Sequence, residues 1–221
     1  MSIRGRAIAR AWPALFMLAI AGCTLLPPQP DRSRFFILTA ASDGAQPIAP
    51  NVADPDITVG VGPVGLPGYL KRPELVTRVG SDQLQLSDDE RWAEPLDSSF
   101  RRVLGQDLSQ MLGTQRIVMF PWYGRTRIDY QVEVQVHRFE AGADGQSQLT
   151  ARWIVRDGKS GAELAAEETT TNAAVTGGDA GVPAALSRDL SAFSRQIAER
   201  IAELSQARAK KIRSEGRSGG D

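Results

Sequence analysis

Cys23 is the only cysteine in the 221-residue chain. A lone thiol cannot close an intramolecular disulfide, even where the compartment would permit one. What remains open to it is covalent attachment of another group. His137 is likewise the only histidine. It falls among Gln131, Glu133 and Gln135, which alternate with Val132, Val134 and Val136, so it belongs to the polar face of a strand. A Ser-His-Asp triad would have to use His137, yet no Gly-x-Ser-x-Gly elbow supplies the serine. No Gly-x-x-x-x-Gly-Lys-[Ser/Thr] phosphate loop occurs. No cluster of His, Cys and carboxylates stands at metal-ligand spacing. The acidic run Asp88-Asp89-Glu90 precedes a predicted helix, where negative charge is favoured at the N-terminus. The residues therefore read as those of a non-enzyme, with no catalytic group and no metal.

The surroundings of Cys23 give it a use. Arg4, Arg6 and Arg10 come first, and an apolar run follows from Ala11 to Ala21. A basic start, a short apolar core and small residues before a cut describe a secretory signal peptide, residues 1–22. The run is too short to span a bilayer, which takes about 20 apolar residues. Ile20-Ala21-Gly22-Cys23 resembles a bacterial lipobox. That resemblance implies cleavage between Gly22 and Cys23, diacylation of the thiol and a third chain on the new amine. Two or more acyl chains anchor stably, at about 0.8 kcal/mol per buried methylene. No cofactor is expected beyond this covalent lipid on Cys23. Thr24, rather than Asp, follows the cysteine, and by the enterobacterial sorting pattern this implies the periplasmic face of the outer membrane.

Residues 1–22 hold three arginines and no acid, so the 26 basic residues fall to 23 against 26 acidic ones, a formal charge of −3 for the mature chain. That balance does not suggest a nucleic-acid partner. Residues 23–34, with Pro27, Pro28 and Pro30, read as an extended tether. About 200 residues suffice for one domain with a real core. That domain is placed at 35–206, with a disordered basic tail at 207–221.

Within the domain, Phe35 to Leu38 reads as a short buried strand and Ala40 to Pro55 as a loop. Ile57 to Gly62 is a strand whose Gly60 and Gly62 imply close approach by another element. Gly65 to Pro73 is a loop bounded by proline and glycine. Leu75–Val79 and Gln83–Leu86 form a hairpin around Gly80-Ser81-Asp82, and Ser87 to Trp92 leads into a helix. Leu96, Phe100, Val103, Leu104, Leu108, Met111 and Leu112 mark that helix, with Gly113 at its C-terminus. Arg116–Phe120 is a returning strand, which suggests a right-handed crossover between parallel neighbours. From Arg127 a three-strand antiparallel meander follows, with turns at 142–145 and 157–161. Pro183 opens a final helix, whose stripe is Leu186, Leu190, Phe193, Ile197, Ile201 and Leu204. The expected fold is α+β: a single mixed β-sheet with a β-hairpin, a βαβ-like crossover, a C-terminal antiparallel meander and two main helices packed on one face.

Two stretches stand apart, Gly65–Pro73 and Arg91–Leu96. They are either packed turns or contact surfaces, since interfaces favour aromatic side chains and arginine. Their candidate partner-binding residues are Tyr69, Leu70, Arg72, Arg91 and Trp92. Phe36-Ile37-Leu38, then Tyr69 to Arg78, then Arg91 to Leu96 resemble, in that order, the ABC-type transport auxiliary lipoproteins. Within that family the chain is similar to the PqiC (YmbA-like) membrane-integrity type. The resemblance implies a non-catalytic partner of MCE-domain proteins, which form lipid-conducting tubes across the periplasm. It implies a docking subunit at the bilayer, for which a homo-oligomeric ring would suit a tube-shaped partner, because cyclic symmetry matches cyclic symmetry. The alternative is a tethered lipid-binding carrier with its own apolar cavity. A periplasmic hydrolase would have to depend on His137.

Overall fold

The computed structural model describes residues 31–40, 56–122 and 127–218. The signal peptide, Gly22, Cys23, the prolines of the tether and nearly all of the predicted loop 40–55 lie outside the described residues. In chain order the elements are β1 (Arg34–Phe36), β2 (Val59–Gly65), a 3-10 turn (Gly68–Leu70), β3 (Glu74–Arg78) and β4 (Leu84–Trp92). Helix α1 (Leu96–Leu112) follows, then β5 (Ile117–Met119), β6 (Tyr130–Gly142), β7 (Gln146–Asp157) and β8 (Glu163–Ala174). A 3-10 turn (Gly178–Gly181) leads into α2 (Val182–Ser218). The fold is α+β, with one mixed eight-stranded sheet and two helices.

The long strand β6 is the trunk of the sheet. One edge carries the antiparallel meander, with β7 in register from Tyr130↔Asp157 to Ala141↔Ser147 and β8 beyond it. The other edge forks. Its first half pairs parallel with β2, from Val59↔Tyr130 to Gly65↔Gln135, and β5 lies outside β2. Its far end pairs parallel with β3 at Thr77↔Ala141 and Arg78↔Gly142, followed by β4 and then β1. A register shift between Val136 and Arg138 falls between the two branches. Helix α1 therefore carries the chain from one branch to the other. The crossover expected between parallel neighbours is corrected accordingly: β5 gains β2 as its parallel partner, while β4 belongs to the other branch.

Period-two patterning places Val132, Val134, Val136, Leu149, Ala151, Trp153 and Val155 in the core, beneath the helices. Phe100 of α1 stands at the centre. Its ring meets Phe139 of β6 at 5.4 Å and Phe193 of α2 at 6.1 Å, both edge to face. Trp153 Nε1 donates to Thr169 Oγ1 at 3.0 Å, which satisfies the one polar atom of a fully buried ring. Gly113 ends α1 with φ 66°, the left-handed conformation that favours glycine, and its N–H donates to Ser109 O. A Cβ on Gly60 would come within 3.0 Å of the Trp122 ring, so the close approach expected at that glycine is present.

One buried polar group joins α2 to the meander. Asp189 is 1 % exposed, and its Oδ2 lies 2.5 Å from Ser147 Oγ. The same Ser147 hydroxyl stands 3.1 Å from Ala173 O, which can only accept. A hydroxyl has one proton to give, so both contacts are satisfied together when Asp189 is itself protonated. Burial is the main cause that pushes its carboxyl up to about 6, against the opposing contact with Ser147 and the nearby Arg188 charge.

Three other expectations are corrected. Ser87 to Trp92 leads into α1 as expected, but as the second half of β4 rather than as a helix entrance, because the parallel pairing with β1 (Arg34↔Glu90 to Phe36↔Trp92) is a long-range contact with no local signature. Asp88-Asp89-Glu90 is thus strand, and Glu90 turns inward to the Arg34 guanidinium and the Ser87 hydroxyl. These contacts, the Ser87 hydroxyl first, hold its carboxyl below the usual range despite burial. The disordered tail expected from 207 is instead helical through Ser218. Extending an existing helix costs little beside nucleating one, and Ala, Arg, Lys and Glu are good helix formers. Arg208 Nη2 also reaches Asp157 Oδ2 at 3.3 Å. Finally, the strand expected at 35–38 is shorter, ending at Phe36, and the stretch is buried on one side only: Leu38 is wholly buried and Phe36 packs on the core, while Phe35 and Ile37 are 63 % and 50 % exposed.

Candidate docking site

The fork leaves a stretch of β6 edge, from Val136 to Glu140, with no strand beside it. The segment from Leu66 to Pro73, which links β2 to β3, fills this position. Leu66 and Leu70 enter the core. The Tyr69 hydroxyl donates to Glu140 Oε2 at 2.8 Å and lies 3.5 Å from His137 O.

Glu140 is fully buried and multiply bound. Arg78 Nε and Arg138 Nε meet its Oε1 at 2.8 and 2.9 Å, while the Phe139 N–H donates to Oε2 at 3.0 Å. A buried carboxylate is tolerated only when paired and hydrogen-bonded, and here two guanidiniums, a phenol and an amide do this. The Tyr69 phenol is pushed up to about 12, chiefly by burial and then by its bond to the Glu140 anion. The network fastens a loop to the trunk of the sheet.

The second odd stretch, Arg91–Leu96, comes to lie against the first. Trp92 N–H donates to Pro73 O at 2.6 Å, and Ala93 N–H donates to Phe36 O at 2.8 Å. Between them opens a groove of about 420 Å³. Leu66, Trp92 and Leu96 contribute apolar surface, Pro73 and Pro95 stand beside it, and Lys71, Arg72, Glu94 and Asp97 carry its charge. Glu94 is already engaged: Arg102 Nη2 reaches its Oε1 at 2.5 Å and holds its carboxyl below the usual range. The same guanidinium donates to Leu38 O at 3.1 Å and Ser99 Oγ at 3.2 Å. Asp97 lies in the first turn of α1, where the helix dipole favours it. Lys71 and Arg72 are exposed, and among the described residues neither has an ion-pair partner. The groove therefore offers an apolar floor and a wall with two exposed cations, Lys71 and Arg72, with Asp97 also lining it.

Of the five residues singled out in the sequence, Arg72 and Trp92 line this groove. Trp92 is 7 % exposed, so it forms floor rather than projecting knob. Leu70 lies in the core at 2 % exposure. Tyr69 anchors the loop through its hydroxyl, and Arg91 Nη1 lies 3.4 Å from Glu74 Oε1 across the β3–β4 pair. Glu140 was missed, because in sequence it is one more polar residue in an alternating strand. Lys71 was passed over although it adjoins Arg72. His137 is half exposed, its Nε2 3.8 Å from Glu168 Oε2. Among the described residues no three of His, Cys, Asp and Glu gather as a metal site, and no helix is long and apolar enough to cross a membrane.

Comparison with known proteins adds an independent finding. A family model described as the ABC-type transport auxiliary lipoprotein component matches residues 38–198. A crystal structure of an uncharacterized protein is similar with TM-score 0.60 and 19 % identity, over 76 % of this chain and 98 % of that one. A protein from Xanthomonas campestris is similar with TM-score 0.60 and 16 % identity, over 79 % of this chain and 99 % of that one. At these identities the likeness concerns the fold. No curated protein matches the chain.

Proposed function

The chain belongs to the family of ABC-type transport auxiliary lipoprotein components, and on that premise we propose that it is the docking subunit of an MCE-type intermembrane lipid transporter. In this reading Cys23 carries the acyl anchor after cleavage behind Gly22, and the domain stands on the periplasmic face of the outer membrane. It receives the periplasm-spanning MCE-domain protein and so supports membrane integrity. Copies arranged in a ring would match the cyclic symmetry of a tube.

The observation that carries this reading is the groove beside the fork. Recognition sites combine an apolar floor with a few placed polar groups on rigid elements. Here the floor is Leu66, Trp92 and Leu96, and the charges are Lys71 and Arg72. The wall is held by the buried Glu140 network and by Arg102. The space between helices and sheet, where a carrier would hold lipid, is filled by Phe100, Phe139, Phe193 and Trp153, all fully buried. That packing favours the scaffold over the carrier.

Co-purification of the MCE-domain protein with the intact lipoprotein tests the proposal. Reversing the basic wall with Lys71→Glu and Arg72→Glu removes the complex while leaving the thermal midpoint unchanged, since both side chains are exposed. Retention of the partner by the doubly reversed protein refutes the groove as its seat.

A further inference from the structure

At the edge strand β1 an apolar pair stands exposed among the described residues. β1 ends one branch of the sheet and pairs with β4 alone. From β1 into the two residues after it the side chains alternate: Phe36 and Leu38 go to the core, while Phe35 and Ile37 face out with 63 % and 50 % of their surfaces exposed. Arg34, the residue before Phe35, has its side chain 56 % exposed although it reaches Glu90. An exposed aromatic and an aliphatic side chain with an arginine next to them suit the interfacial zone of a bilayer, where apolar groups enter the headgroup boundary and cations meet phosphate.

Chain length names the occupant. Eleven residues lie between Cys23 and Phe35, so the twelve steps of chain at 3.3–3.6 Å each give a reach of about 40 Å when fully extended. Among the described residues β1 is the first element after Cys23. A tethered patch meets its surface at a high effective concentration, so weak contacts suffice to hold it there. We propose that the outward pair Phe35 of β1 and Ile37 just after it is a second membrane contact that lays this edge of the domain on the bilayer. The acyl chains attach the protein; β1 sets its orientation and so the height at which the groove is presented. The inference rests on acylation at Cys23.

The acylated chain has no free thiol, so Ile37→Cys introduces one unique reporter. The lipidated variant is reconstituted into vesicles of phosphatidylethanolamine and phosphatidylglycerol, floated, and reacted with a membrane-impermeant maleimide. Ile212→Cys, at the 63 % exposed Ile212 near the far end of α2, is the control. The Ile37→Cys thiol reacts roughly tenfold more slowly on vesicles than in the unacylated Cys23→Ser protein, as for a patch docked nine-tenths of the time, while the control is unchanged. Flotation with an unprotected thiol at 37 overturns this inference alone. Failure to float overturns the anchor and this inference with it. Protection that appears equally in the unacylated protein and grows with its concentration shows a second copy, not lipid, on the strand, and overturns it too.

Discussion

Asp189→Asn should make this protein more stable at neutral pH. The wild-type carboxyl is buried against Ser147, whose hydroxyl also faces Ala173 O, and the arrangement is complete only when the acid is protonated. Its value in the fold is about 6 against an ordinary 3.8. A group raised in the folded state contributes its full stability below the unfolded value, and loses it as pH rises through the folded one. The penalty therefore grows between about pH 4 and pH 6 and is flat above, reaching about 3 kcal/mol at 1.36 kcal/mol per pH unit. Asparagine keeps the shape and supplies the donor to Ser147 Oγ at every pH. Urea unfolding of the unacylated mature chain at pH 4 and pH 7.5, for wild type and variant, measures the difference. Asp189→Asn gains roughly 1–3 kcal/mol at pH 7.5, and the gain shrinks toward zero at pH 4. Parallel pH profiles, or a variant less stable at pH 7.5, would refute the assignment of the proton to Asp189.

Further outcomes follow from the same contacts. Tyr69→Phe removes one donor from the buried Glu140 carboxylate and costs about 1.5–3 kcal/mol in urea unfolding, the range for a hydrogen bond to a charged group; hydrogen exchange rises in the Gly65–Pro73 segment first. Phe100→Ala empties the centre of the aromatic trio and costs about 3–5 kcal/mol, read in the same assay. Ending the chain after Ala209 removes a turn-by-turn extension whose residues from Lys210 to Glu215 are exposed, and it shifts stability by no more than about 0.5 kcal/mol.

What the sequence disclosed was periodic. The α1 and α2 stripes, the alternation in β6 and β7, and the cap at Gly113 each depend on neighbours within a turn or two, and each stands where the pattern put it. What it hid was pairing at a distance. The Arg34–Glu90 contact joins residues 56 apart in sequence, and without β1 beside it the acidic end of β4 looks like a helix entrance. The fork in β6 is invisible for the same reason: nothing in Val136 to Glu140 says that a loop rather than a strand lies alongside. Arg72 and Trp92, which line the groove, drew notice because their residue types suit interfaces. Leu70 drew notice from its neighbours and proved to be core, since a proline-bounded loop that plugs a sheet must bury something. The end of α2 was misjudged because loss of an apolar stripe marks loss of burial, not loss of helix.

A photo-crosslinking residue at position 72, in cells that carry the acylated protein and its transporter, tests the docking role most directly. The groove reading expects one major adduct, to the MCE-domain periplasmic component, and none from the same probe at position 212. Equal adducts from both positions, or none to that component from position 72, would contradict it.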